Sequence, residues 1–284
     1  TSTNIASFIG AATLRINAIG YENREATNQE LDEMRKSVEK AMKEGAMGIG
    51  SSLIYAPGDY ANTNELIEIS KVASKYGGMY ISHMRNEDNK VLEALEELIQ
   101  ISKEANIPAE IYHLKASRKA NWHLLDSIIK RVEIARKNDL KITADMYTYN
   151  ASSTGLTGVI PTWVQEGGHR AWINRMKEPK QRKKLINDIK EELAIEVAEL
   201  LSKGHKRPHL AAILVGNDGA SETYISAKVR ACDKVGFVST LVRFNDDVSE
   251  DILLAEIDKV LNGNSDLKNL TAELEEKQKQ LKEI

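Results

Sequence analysis

The sequence is short of several things, and each shortage closes a class of protein. Cys232 is the only cysteine, so an intramolecular disulfide is impossible and the residue reads as a small buried apolar side chain in a reducing compartment. No apolar run approaches the roughly 20 residues needed to cross a bilayer. Residues Thr1 to Gly10 lack a basic region followed by an apolar one, so no secretory signal is read there. Neither sign of charge dominates: 39 Lys and Arg face 42 Asp and Glu, a formal net charge of -3. That balance argues against nucleic acid and anionic membranes as partners. No Gly-X-Gly-X-X-Gly phosphate loop occurs, so no complete NADP site is expected. A soluble, cytoplasmic α/β protein is the expectation.

What the sequence does contain is an alternation of short β-branched runs with longer stretches of helical spacing, the pattern of parallel βα units. A chain of 284 residues holds one large domain of this kind or two smaller ones. Leu31, Met34, Val38 and Met42 recur at helical spacing, predicting a helix over 28–43, with Thr27 as N-cap and Glu30 three positions on. A strand is expected over 46–53. The next helix starts near Thr63 and stops at Gly77-Gly78, where the left-handed conformation is available. Strand 79–83, helix 90–105, strand 109–114, helix 122–137 and strand 141–146 complete the run.

Ligands in such folds gather beyond the carboxyl ends of the strands. His83, His113 and Asp145 sit at three successive strand ends, which makes them site candidates. The alternatives are a backbone-bonded imidazole for each histidine and a loop cap for Asp145. Past Pro161 the chain becomes helical and highly charged over 170–203, and its run Lys180-Gln181-Arg182-Lys183-Lys184 reads as a solvated helix face. Strand 210–215, helix 221–235, strand 238–244 and helix 249–261 add two further βα units. From Asp266, Leu267, Leu270, Leu274, Leu281 and Ile284 nearly keep a/d spacing, fitting either a single amphipathic helix or a short coiled coil.

Five stretches give the first half a family likeness: Asn4-Ile-Ala-Ser-Phe-Ile-Gly10, Gly45-Ala-Met-Gly-Ile-Gly-Ser-Ser-Leu-Ile-Tyr-Ala-Pro-Gly58, Tyr80-Ile-Ser-His-Met-Arg85, Ile111-Tyr-His-Leu-Lys115 and Ala144-Asp-Met-Tyr-Thr-Tyr149. Residues 4–192 resemble the N-acyl-D-amino-acid deacylases of the amidohydrolase superfamily. The resemblance implies zinc held by His83 and His113, polarising an amide carbonyl and activating water. It implies that Tyr55, Lys115, Tyr147 and Ser153 bind the carboxylate and carbonyl of an N-acyl amino acid, Lys115 suiting the carboxylate. His123, His169, His205 and His209 match no ligand position. The family also uses an upstream His-X-His strand, a bridging cysteine and a downstream aspartate in a Ser-Asp-Gly context, none of which this sequence supplies, so a weak or partial zinc site is implied. Asn217-Asp218-Gly219 is a superficial match only.

Arg207-Pro-His-Leu-Ala-Ala-Ile-Leu-Val-Gly216 and Ala220-Ser-Glu-Thr-Tyr-Ile-Ser-Ala-Lys-Val-Arg-Ala-Cys232 resemble a different family, methylenetetrahydrofolate dehydrogenase/cyclohydrolase, over residues 189–262. Tyr224 and Lys228 are four apart and share a helix face. The resemblance implies pterin stacking for Tyr224 and a catalytic, proton-transferring role for Lys228; outside that context they read as a surface lysine beside a packing tyrosine. The family's Gln-Leu-Pro-Leu-Pro segment and Rossmann domain do not appear.

The expected fold is α/β: partial TIM-barrel-like parallel βα units over 1–188, a folate-domain-like βα segment over 189–264, and an amphipathic helix over 265–284. Two functions follow. One is a metal-dependent amide hydrolase impaired by missing ligands. The other is a noncatalytic fusion of two enzyme fragments whose strands 210–215 and 238–244 complete the first sheet, with a remnant folate site. Oligomeric state stays open, including an oligomer that supplies the missing parts.

Overall fold

The computed structural model describes residues 3–149 and 151–262. Five strands form a parallel sheet in the order β1 (Ile9–Gly10), β2 (Gly48–Ser52), β3 (Met79–His83), β4 (Ala109–Ile111) and β5 (Ile142–Ala144). The helices between them are α1 (Ala11–Ala18), α2 (Asn28–Lys43), α3 (Thr63–Lys75), α4 (Val91–Ala105) and α5 (Leu125–Lys137). The α/β class is as read from the alternation. The sheet is open: β1 and β5 each have one strand neighbour among the described residues.

Local chemistry sets the helix ends. Thr27 Oγ1 accepts from the Glu30 amide at 3.3 Å while Glu30 Oε2 accepts from the Thr27 amide at 2.8 Å, the reciprocal box expected at the start of α2. Asn62 Oδ1 does the same for α3, accepting from the Glu65 amide at 2.8 Å. At the other end of α3, Gly77 has φ +72, a conformation that a Cβ disfavours. Gly48 opens β2 with φ +145, and a Cβ there would collide with the backbone of Met79 on β3. Pairing of β2 with β3 therefore needs glycine at that point.

The core lies between sheet and helices. Ile49, Tyr80, Ile111 and Ile142 from the strands meet Leu66, Ile69, Leu95, Leu98 and Ile101 from α3 and α4. β1 and α1 were not foreseen, because the strand is two residues long and α1 buries Arg15 in the middle of its apolar stripe. Arg15 Nη1 donates to Glu65 Oε2 at 2.6 Å, and Nη2 donates to the carbonyl of Arg24.

Other bounds differ from the sequence reading. β4 ends at Ile111 instead of 114 because the chain turns at Tyr112-His113, where His113 has φ +36. Helix α5 starts at Leu125, after a 3-10 turn over Lys119–Leu124. The helical stretch expected over 170–203 consists of α7 (Gly168–Lys177) and α8 (Pro179–Ser202), preceded by a short α6 (Thr162–Gln165). Pro179 has no amide to donate and holds Glu178 extended, at φ -75 and ψ 121, which separates α7 from α8.

Helix α8 runs across the boundary between two compact units, which divide after Ile189. The second unit contains β6 (His209–Val215), α9 (Gly219–Val235), β7 (Val238–Phe244) and α10 (Glu250–Asn262). β6 and β7 are parallel, in register from His209↔Val238 to Val215↔Phe244. They form a sheet of their own, which corrects the expectation that they extend the first one: α9 carries β7 back onto β6, and the ladder is completed between those two strands. Asp218 Oδ2 accepts from the Ser221 amide at 2.8 Å, so it is the cap of α9. Cys232 is buried, as a small apolar residue would be. The amphipathic helix expected over 265–284 lies outside the described residues. No helix among the described residues is long and apolar enough to cross a membrane.

Candidate metal centre

Register brings the site together. β2 and β3 pair to Ser52↔His83, β3 and β4 to Ser82↔Ile111, and β4 and β5 to Ile111↔Ala144. His83, the turn at His113, and Asp145 therefore emerge at one end of the sheet, as strand-end residues of parallel units must. His83 Nδ1 lies 2.8 Å from His113 Nε2, with the rings edge-on at 4.5 Å between centroids.

Asp145 has the other role weighed for it. Its Oδ1 accepts from the His113 amide, and its carbonyl accepts from the Leu114 amide at 2.9 Å. It holds the turn that presents His113 and is not itself part of the side-chain cluster. The third member is Glu87, in the loop after β3. That loop is tied to the loop after β4 by the Ser117 amide donating to the Glu87 carbonyl at 2.7 Å. Glu87 Oε1 is 2.9 Å from His113 Nδ1, and Glu87 Oε2 is 3.7 Å from His83 Nε2. His83, Glu87 and His113 are the one group of three or more potential metal ligands among the described residues.

Lys115 enters the same cluster, its Nζ donating to Glu87 Oε1 at 2.8 Å and to His113 Nδ1 at 2.6 Å. His83 Nε2 is a buried atom with no hydrogen-bond partner. Burial lowers the His83 pKa, with Glu87 opposing and His113 and Lys115 reinforcing the shift, so at neutral pH the ring is the uncharged form that ligates metals. An orphaned imidazole nitrogen beside a second imidazole and a carboxylate fits a divalent cation of the zinc type, which takes N and O donors and leaves a fourth position open.

The other predicted residues fall into two groups. The Tyr55 ring stands 6.0 Å from that of His83, the Tyr147 ring 6.2 Å from that of His113, and Lys115 Nζ 5.4 Å from the Tyr147 centroid. Ser153 is exposed; its neighbour Thr154, also exposed, bonds the Tyr55 hydroxyl through Oγ1 at 2.6 Å. In the second unit Lys228 Nζ lies 4.4 Å over the Tyr224 ring, and Tyr224 is 62 % exposed. The pair shares a face of α9 and is open to solvent. Sequence reasoning missed Glu87. The available signal was its place in the loop after a strand ending in histidine, the same positional rule that singled out His113 and Asp145.

The comparisons with known proteins divide along the chain. Residues 181–271 match the family Tetrahydrofolate dehydrogenase/cyclohydrolase, catalytic domain. Over 92 residues the chain is 50 % identical to Bifunctional protein FolD of Bacteroides thetaiotaomicron, covering 32 % of this chain and 31 % of the relative. Over 155 residues it is 35 % identical to a D-aminoacylase of Alcaligenes xylosoxydans xylosoxydans, covering 55 % of this chain and 32 % of the relative. Among solved structures, an N-acyl-D-glutamate deacylase from Bordetella bronchiseptica, complexed with zinc and a phosphonate inhibitor, superposes with a TM-score of 0.50 at 29 % identity, over 51 % of this chain and 31 % of that one. A D-aminoacylase structure gives 0.50 at 33 % identity, over 52 % and 31 %. The chain thus joins a D-aminoacylase-like part to a FolD-like part, and it spans about a third of the length of these curated relatives.

Proposed function

We propose that the first unit carries the metal-binding segment of a zinc-dependent site for hydrolysing N-acyl amino acids, built on part of a TIM-type barrel, in a cytoplasmic protein. The observation that carries this reading is the gathering of His83, Glu87 and His113 as three potential metal ligands at the carboxyl end of a parallel sheet. His83, His113 and Glu87 would hold the ion, which supplies Lewis acidity for an amide carbonyl and for activating water. Lys115 would meet the substrate carboxylate, the one group in the cluster with a full positive charge to offer. The Tyr55 and Tyr147 hydroxyls and Ser153 are donors for the carbonyl. With the family's remaining ligands and general base absent from this sequence, turnover by the chain alone is expected to be low or nil.

Metal content and hydrolysis of N-acetyl-D-amino acids, measured together on metal-free and zinc-loaded protein, test this. About one zinc per chain, lost in His83→Ala and in His113→Ala, supports the reading; no bound metal sinks it. A second reading, a noncatalytic fusion with a remnant folate site, is favoured by the solvent-open Lys228 and Tyr224 pair. Calorimetric titration with tetrahydrofolate separates its two parts: heat that Tyr224→Ala abolishes indicates a surviving folate site, and no heat leaves the second unit as scaffold.

A further inference from the structure

The geometry points to Glu87 as the third protein ligand of the metal, and to Lys115 as the cation that occupies the same carboxylate until metal arrives. This rests on the reading of His83 and His113 as metal ligands and adds a ligand and a displacement that the resemblance does not imply. Among the described residues Glu87 is the carboxylate whose oxygens reach both histidines, at 2.9 Å from His113 Nδ1 and 3.7 Å from His83 Nε2. Its side chain is 13 % exposed and that of Lys115 19 %. In that partly dehydrated setting the carboxylate needs a counter-cation, and Lys115 Nζ at 2.8 Å provides it.

The ammonium and a divalent ion cannot share those atoms. Lys115 also donates to His113 Nδ1 at 2.6 Å, filling a lone pair that metal binding requires. Like charges at such separations repel about as strongly as the Lys115–Glu87 attraction holds the ammonium in place. Metal entry therefore releases Lys115 from Glu87 and from His113. Lys115 Nζ already stands 5.4 Å from the centroid of the Tyr147 ring, and once released from Glu87 the ammonium is free to meet a substrate carboxylate. Metal loading and carboxylate capture are in this way one coupled event: without metal, Lys115 is held by Glu87 and closed to an anion.

Cobalt(II) titration followed by its visible absorption band, on the full chain, tests the assignment without relying on turnover. Glu87→Gln keeps the shape of the side chain and should weaken binding by more than about tenfold, the lower end of what even an outer partner of a metal ligand contributes. Lys115→Met removes the competitor and should tighten binding by roughly tenfold. The opposite signs are the signature, because a merely structural role for either residue would weaken both variants. Thermal melts by circular dichroism check that each variant folds, and Glu87→Asp, with the charge kept and the reach shortened, should fall between wild type and Glu87→Gln. If His83→Ala loses cobalt while Glu87→Gln binds like wild type, Glu87 is not a ligand and the two-histidine site stands without it. If Lys115→Met binds more weakly, the displacement is wrong. If the wild-type chain binds no cobalt, both this inference and the proposed function fall.

Discussion

Residues 3–189 and 190–262 follow the same alternation of strand and helix, yet they bury their apolar side chains to different depths. In the first region β3 has a strand on either side and three successive buried residues, Tyr80, Ile81 and Ser82. In the second, β6 and β7 pair only with each other among the described residues. Among the described residues there, the buried apolar side chains are Val197, Leu214, Ile225, Cys232 and Val235. Val215, Val238, Ile252 and Leu254 stay exposed. A βα unit supplies apolar surface, but neighbouring strands and helices on both faces are what remove it from water. The site follows the same division: the His83 cluster draws its side chains from the loops of adjoining βα units, whereas Tyr224 and Lys228 project from one helix and are exposed.

The sharpest break in this contrast is Arg15, a charge held inside the better-packed region. Arg15→Met should cost about 3–5 kcal/mol, because Glu65 is left buried without its partner. Urea unfolding followed by circular dichroism reads the loss, and Arg15→Met with Glu65→Leu should recover most of it. A single variant within 1 kcal/mol of wild type would mean that water reaches Glu65 after all.

Next in size is a matched pair of truncations. Leu95 is 0 % exposed on α4 and Leu214 is 6 % exposed on β6. Leu95→Ala should cost about 2–5 kcal/mol by leaving a cavity among packed neighbours, and Leu214→Ala less, because the thinner surroundings can collapse or admit water. Equal losses by the same unfolding assay would show that the second unit is as tightly packed as the first. The smallest effect compares two helix starts. Glu30, hydrogen-bonded by Arg24 and by the Thr27 amide, has its pKa lowered from 4.5 to about 2. Asp218, capping α9, is lowered from 3.8 by the Ser221 amide. A lowered folded pKa contributes stability that is present above the ordinary value and is lost as pH falls through the folded one. Melting of Glu30→Gln should therefore converge on wild type between pH 4.5 and about 2, and that of Asp218→Asn from pH 3.8 downward. A gap that persists unchanged to the lowest pH would separate the caps from their charge.

Much of this was open to reading in one dimension. Periodicity located α2 and β3 to the residue, because a stripe at Leu31, Met34 and Val38 and a run ending at His83 are local signals that nearby contacts do not overturn. Thr27 and Glu30 announced their box for the same reason. β1 and α1 were hidden, since two residues of strand carry no period and Arg15 looks polar until Glu65, fifty residues on, is placed against it. Strand-end position pointed to His83 and His113.

The sequence by itself determined the alternation, the parallel sheet it implies, the two family likenesses and the histidine pair, all of which depend on spacing along the chain. Only the tertiary structure decided that Glu87 joins the histidines and pairs with Lys115, that Asp145 holds a turn, and that β6 and β7 form their own sheet. Those outcomes depend on which loops lie against each other and where a strand finds its hydrogen-bonding partner. Both are set by packing between segments far apart in the chain.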